Sequence, residues 1–442
     1  MVKRRVDGQR MLVISLDAVG SRDLEYMRKL PNFKKLWERS AYCDHVKSVY
    51  PSITYPAHCS IVTGMQPIRH GVINNIRIQP NRTGKEDWLW QRRYIKTNTI
   101  YDQVRKNGWK TAALLWPVTA QSKIKYCVPE IFPNRAWQNQ VMISAVSGPI
   151  FYQIELLKKF GHLLDGVNQP NLDHFVTEAA VYTIRKYNPD LFLIHLTDVD
   201  THRHRFGLDA QEVRGAMQRH DVRLGRFLEA LEETGDMEKT TVVVLGDHCQ
   251  IDTHTAIYPN YYLKQAGLLR VSEDGKIVDY DFYAQHCDGS CYIYPSGKTR
   301  ELLKTGEGKE REALMLRLRE TLRQIPDDMI QRIISRKEAV KLGADSGCVC
   351  MVEAKPGYYF QNGFEKPYEK VEEMKEHAML ATHGYLPDLP DYETFFMMSG
   401  YGVAEGKCTE AMYLWDEGPT LAEILGVKLP DTDGAALKEL LD

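Results

Sequence analysis

Three aspartates, three histidines and one threonine, carried on five short segments far apart in the chain, can do chemistry together. Asp17 ends the apolar run of MLVISLDAVG, Asp200 and His204 sit in LTDVDTHRHRFG, Asp247 and His248 close VVVLGDHC, and His383 stands in ATHGY. Thr54 offers a hydroxyl in the proline-punctuated turn YPSITYPAHCSIVTG. Mixed carboxylate and imidazole donors suit divalent cations, zinc first, with manganese or iron as alternatives. Six such donors come close to furnishing two partly open sites, whose free positions would admit a phosphoryl oxygen. A threonine hydroxyl is too basic to ionise alone at neutral pH, but beside paired cations it becomes a nucleophile. The expected chemistry is in-line transfer of a phosphoryl group, and no Ser/His/Asp triad competes with it.

Something must bring these segments to one place. Each adjoins a stretch that reads as a buried strand, and parallel α/β sheets gather the carboxyl ends of their strands along one ligand-binding edge. Residues 11–16, 109–116, 189–200 and 239–248 are short apolar or β-branched runs of the kind covered on both faces. Residues 45–53 read as a further strand feeding the Thr54 turn, with a helix from Ala57 to Thr63 opening behind it. A helix over 208–235 shows an apolar side made by Val213, Met217, Leu224, Phe227, Leu228 and Leu231. The ETFFMMSG strand at 393–400 and a closing helix in GPTLAEILGV complete the core.

Composition sets the outer limits. The 442 residues are 43% hydrophobic and 26% charged, enough for a substantial core. Net charge is −2, so nothing argues for a stable nucleic-acid partner. No apolar run approaches the ~18–20 residues of a membrane span. The basic start MVKRR precedes an apolar patch of only Met11 to Leu16, too short for a signal core, and is read instead as leading into the first strand. Nine cysteines without a close CxxC pair read as scattered buried thiols in a reducing cytoplasm, which leaves the sequon at Asn81 without meaning.

Several motifs run in a fixed order. Pro51-Ser52-Ile53-Thr54-Tyr55-Pro56-Ala57-His58 fits P-[ST]-x-T-x-P-x-H, followed by Ser60 to Gly64 and by His70 to Asn75 as H-G-x-x-x-N. Asp200, His204 and Gly207 fit D-x-x-x-H-x-x-G, Asp247 and His248 a strand followed by D-H, and His383 to Tyr385 H-G-[YF]. Together they resemble the alkaline phosphatase superfamily, in its type I phosphodiesterase / nucleotide pyrophosphatase branch. The resemblance implies one metal on Asp17, Thr54, Asp247 and His248, and a second on Asp200, His204 and His383. It implies that Asn75 donates to a non-bridging phosphoryl oxygen. Asp198 with His202 is a competing pair at the same spacing, but only the Asp200/His204 frame keeps the trailing glycine. Thr54 and His58 fill places that sulfatases give to a Cys or Ser and an Arg. A neutral Asn, where alkaline phosphatases place an Arg, favours a diester with one charge fewer.

The expected fold is an α/β/α sandwich with a mostly parallel central sheet, alkaline phosphatase-like, plus an inserted α+β subdomain. Its core would span 10–258 and 376–442, the subdomain 259–375, and surface insertions near the site 78–100 and 117–172. The expected function is two-metal cleavage of phosphodiester or pyrophosphate bonds in a small-molecule or nucleotide substrate, through a covalent ester on Thr54. The alternatives are phosphomonoesterase, phosphonate hydrolase or phosphomutase activity and, more remotely, a metal-binding protein without turnover. Asp17 and Thr54 taken singly read as helix caps. Trp88, Trp90, Tyr94 and Trp137 read as packing for the insertions before a stacking surface, and His58 and His70 as structural.

Overall fold

The run that ends at Asp17 forms β1 (Arg10–Leu16), buried from Met11 onward. The computed structural model describes residues 9–82, 84–306, 308–375 and 377–442. The basic start and Thr83 of the sequon lie outside the described residues. After β1 come β2 (Ser40–Lys47), β3 (Thr111–Leu114), β4 (Tyr126–Val128), β5 (Leu191–Leu196) and β6 (Thr240–Leu245). These six join β17 (Thr394–Gly400) and β18 (Met412–Tyr413) in one sheet of order β18-β2-β17-β6-β1-β5-β3-β4. β1 lies parallel between β5 and β6, with Ile14 opposite both Ile194 and Val244. Only β17 runs antiparallel to its neighbours.

Alternation along β1 divides the core. Leu12 and Ile14 pack beneath the helices Asn171–Tyr187 and Gln211–Glu233, with Val176, Phe227 and Leu231. Met11 and Val13 face the helices Thr54–Thr63 and Glu417–Leu425, with Ile61 and Leu421. A side-chain period of two on a strand buried on both faces requires this layering. The result is the expected α/β/α sandwich. Because β1, β5 and β6 share direction and register, Leu16 lies beside Leu196 and Ser15 beside Leu245. Their carboxyl ends therefore open on one edge.

The remaining strands build smaller sheets over that edge. They are β7 (Ile251–Ile257), β8 (Leu269–Val271), β9 (Ile277–Tyr280), β10 (Phe282–Cys287), β11 (Ser290–Pro295), β12 (Ile330–Ser335), β13 (Cys350–Ala354), β14 (Gly357–Phe360), β15 (Tyr368–Lys370) and β16 (Ala381–Thr382). β10, β11, β13 and β12 make an antiparallel sheet, and β7 pairs with β14, β15 and β16. The accessory sheets thus begin at Ile251 and take in Ala381–Thr382, beyond 259–375 on both sides.

Other elements differ from expectation for identifiable reasons. The strand expected at 45–53 lies earlier, at Ser40–Lys47, because Pro51 has no amide to give a ladder. The helix begins at Thr54 itself, so Thr54 is its first residue rather than its cap. The strand expected to run to residue 200 stops at Leu196, and Asp198–Phe206 is helical. Within 117–172, Tyr126–Val128 is an edge strand of the main sheet, and Gln140–Ser147 and Ile150–Phe160 are helices. Their apolar residues lie on both faces: Val141, Val146 and Phe151 are exposed, Phe151 by 86%, so no one-sided stripe marks them. Eight of the nine cysteines are buried and Cys408 is exposed. No helix among the described residues is long and apolar enough to cross a membrane.

Candidate active site

Asp17 follows β1 directly, and Asp247 and His248 stand just beyond β6. The turn after β1 is held in an uncommon conformation, with Ala18 at φ +60°. There the Ala18 amide donates to Asp247 Oδ1 at 3.2 Å, and the buried Arg203 guanidinium holds the Ala18 carbonyl and Asp23. His248 Nε2 lies 3.3 Å from Asp17 Oδ1, 3.2 Å from Asp247 Oδ2 and 3.2 Å from Thr54 Oγ1. Four of the expected ligands therefore converge on one point.

The second group adjoins the first. Asp200 and His204 are one turn apart on the helix Asp198–Phe206, with His204 Nε2 3.2 Å from Asp200 Oδ1. His383 Nε2 is 4.0 Å from the same oxygen. The His383 ring lies 4.3 Å from that of His248 and 5.1 Å from that of His204. Donor atoms of Asp200, His248 and His383 fall within 4.8 Å of one another, as do those of Asp17, Asp247 and His248. His248 is thus shared between the two clusters.

Buried charge decides what the cluster is for. Asp17 Oδ1 and Asp247 Oδ2 are buried and accept no hydrogen bond. Two such carboxylates are untenable unless a proton or a cation compensates them. Burial, then Asp200, pushes the Asp17 carboxyl up to about 7, against the pull of His195. Burial, then Asp17, raises Asp247 well above the carboxylate range. Burial, then His383, holds His248 well below the usual imidazole value, leaving it a neutral donor. Burial also holds His383 below the usual imidazole value, whereas at His204 burial is outweighed by Asp200, which raises it to about 9 and so keeps a proton that a cation would displace. Facing carboxylates and imidazoles fit divalent cations, and Asp17, Thr54, Asp247, His248, Asp200, His204 and His383 would hold them.

The Thr54 side is equally defined. Thr54 opens the buried helix Thr54–Thr63, whose positive end favours an anionic group. The Tyr55 amide donates to Asn75 Oδ1 at 2.8 Å. That bond fixes the carboxamide and leaves its NH₂ to donate elsewhere. His58 donates from Nδ1 to Thr54 O at 2.8 Å, and its Nε2 meets Ser15 Oγ at 2.9 Å. His70 pairs with Ser60 Oγ and the Val72 amide. Both act as fasteners beneath the site.

Asp198 and His202 do not join it. Asp198 is fully buried and held by Arg219 through two hydrogen bonds of 2.7 and 2.8 Å, and by Arg223 at 2.7 Å. His202 Nδ1 lies 3.0 Å from its Oδ1. Of the aromatics, Trp88 packs edge-on against Tyr55 at 5.3 Å and Phe132 at 5.2 Å, and Trp90 is buried against Phe132. Tyr94 lies near Arg93, while Trp137 is 71% exposed.

Supporting residues escaped the sequence reading. His195, in the middle of β5, places Nε2 2.9 Å from Asp17 Oδ2. A histidine inside a fully apolar strand is the signal that marks it. Asp288, in the turn joining β10 and β11, reaches His383 Nδ1 at 3.3 Å and His286 Nδ1 at 3.3 Å, and nothing in its D-G turn sequence singles it out. Gln250 donates to Asp200 Oδ1. Glu353 of β13 accepts from Tyr50 Oη at 2.8 Å and from the Leu386 amide at 2.7 Å, and burial pushes its carboxyl up to about 8. It ties the Thr54 turn to the His383 loop, as does the Gly384 amide donating to Ser52 O at 3.0 Å. Gly384 sits at φ +87°, where a Cβ would lie 1.7 Å from Cys287 O. Only glycine fits there.

Similarity to known proteins places the chain in a family. Residues 11–386 match the family profile described as type I phosphodiesterase / nucleotide pyrophosphatase. A pyrophosphatase/phosphodiesterase of Schizosaccharomyces pombe is 26% identical over 248 residues, covering 54% of this chain and 44% of that protein. Human ectonucleotide pyrophosphatase/phosphodiesterase family member 1 is 24% identical over 270 residues, covering 59% of this chain and 26% of that protein. The chain thus aligns with less than half the length of these curated relatives. In structure, murine ectonucleotide pyrophosphatase/phosphodiesterase 5 superposes with a TM-score of 0.67 at 17% identity, covering 98% of this chain and all of the other. An inactive variant of that murine protein, also similar (TM-score 0.66), was solved in complex with AMP. The chain belongs to the type I phosphodiesterase / nucleotide pyrophosphatase family.

Proposed function

We propose that this protein hydrolyses phosphodiester or pyrophosphate bonds, with Thr54 as the nucleophile. One observation carries the reading: Thr54 Oγ1 is 3.2 Å from His248 Nε2, which also lies within 3.3 Å of two buried, donor-free carboxylate oxygens. Two divalent cations, zinc before manganese or iron, would lower the pKa of the Thr54 hydroxyl and neutralise the phosphoryl charge. Thr54 Oγ attacks phosphorus in line, the bond to the leaving alcohol or phosphate breaks, and a phosphothreonine ester forms. Water then attacks that ester from the side the leaving group vacated and restores the hydroxyl. The Asn75 carboxamide, turned by the Tyr55 amide, donates to a non-bridging oxygen. A neutral donor there, rather than an arginine, suits the single negative charge of a diester.

A nucleotide substrate is the reading that the family and the AMP complex of the murine relative support. The reducing cytoplasm is the compartment we propose, on the buried thiols. The test is Thr54→Ala in the metal-loaded protein, assayed on bis(p-nitrophenyl) phosphate with metal content measured in parallel. Turnover is expected to vanish while metal is retained. Full activity would remove Thr54 from the mechanism.

A further inference from the structure

A cavity with a basic lining lies behind the helix that carries Asp200 and His204. Three helices, Ile150–Phe160, Asn171–Tyr187 and Gln211–Glu233, enclose a cavity of about 470 Å³. Lys159, Arg219, Arg223 and Arg226 line it against a single lining acid, Glu178. Glu178 is already taken by Arg226 at 2.8 Å. Asp198 and Asp173 stand behind the wall and engage only part of the two inner guanidiniums. Arg223 is 2% exposed, and its Nε is buried without a hydrogen-bond partner. The Lys159 ammonium meets the Tyr182 ring at 4.9 Å, and among the described residues no acid pairs with it.

We infer that this cavity binds a phosphomonoester: the phosphate lies among Lys159, Arg223 and Arg226, and the organic part rests on Phe160, Leu163 and Val222. Phe160, Leu163 and Val222 form the apolar part of the lining. A tetrahedral phosphate spreads its oxygens toward donors on different helices, whereas a planar carboxylate meets one guanidinium at a time. The inference goes beyond the proposed hydrolysis, because the cavity touches none of the residues assigned to it. It shares two arginines with Asp198, the first residue of the helix bearing Asp200 and His204.

Titration calorimetry of the metal-loaded protein with phenyl phosphate tests it. The parent is expected to bind one equivalent more than either Lys159→Glu or Val222→Glu, two changes at exposed positions. Inorganic phosphate, titrated alongside, is expected to fill that extra site at least ~10-fold more weakly, as loss of the apolar contact implies. Equal affinity for the two would uphold the anion site and assign it to free phosphate. Identical stoichiometry and affinity in the parent and both variants would overturn the proposal.

Discussion

Two acid–histidine pairs occupy one helix, two residues out of phase, and the protein uses them for opposite ends. Asp198/His202 and Asp200/His204 have identical spacing, but two residues turn a helix by about 200°, so the pairs face opposite sides. Asp198 meets Arg219 and Arg223, which use both of its oxygens. Asp200 meets His204, His383 and the neighbouring Asp17 and Asp247 cluster. For Asp198, burial would raise the pKa, but Arg219 and His202 outweigh it and hold the carboxyl far below its ordinary range. A carboxylate saturated by arginines locks structure. One left among histidines and other carboxylates awaits a metal.

The largest break in this contrast should come from Asp200→Ala. On the proposed mechanism, losing a ligand to the second cation would remove several kcal/mol of transition-state stabilisation, or ~10³-fold in kcat/KM on a diester. Thermal stability of the metal-free protein should not fall, which melting followed by circular dichroism checks. Asp198→Asn should do the reverse. Stranding the buried Arg223 guanidinium, and the half-buried Arg219 beside it, costs about 3–5 kcal/mol in urea unfolding, while kcat per metal-loaded molecule stays within about threefold of the parent.

The pH responses of Asp17, in the metal cluster, and of Asp198 should also oppose. Asp17 rises to about 7 in the folded, metal-free protein, so folding binds its proton more tightly than the unfolded chain does. That contribution is complete below pH ~4, the ordinary Asp value, and is lost as pH rises through about 7. Asp198, held low, contributes above pH ~4 and loses that contribution only in acid. With chelator present, the melting temperature of Asp17→Asn relative to the parent should therefore climb between pH 5 and 8. Added zinc should reverse that ranking. The smallest effect belongs to His202: His202→Ala should cost only ~1 kcal/mol or less, since its partner keeps two arginines, whereas His204→Ala should lose bound metal in equilibrium dialysis.

Much of this was legible because the determinants are local. The strands ending near Asp17 and Asp247 announce themselves as β-branched or apolar runs, and Thr54, Asp200/His204, Asp247-His248 and His383 sit in motifs whose spacing is retained in one chain order. What could not be read depends on partners distant in sequence. Gly207 favours Asp200 over Asp198 in the sequence, but what Asp198 does instead is set in space by Arg219 and Arg223, on another helix. Tyr126–Val128 is too short to carry a period, and the helices at 140–160 expose apolar residues that hide theirs. His195 and Asp288 matter only through what they touch.

The loop bearing His383 is fastened to the Thr54 turn by Ser52, Gly384 and Glu353, and these come from widely separated stretches of the chain. Closing such long loops costs entropy that only the finished fold repays. During synthesis the first cluster, missing its His383 neighbour and the Glu353 tie, has no partner to complete the cradle. On the proposed mechanism, hydrolytic competence would therefore arrive only once the His383 loop has closed, and a clipped product lacking that loop would be inert rather than a weakened hydrolase.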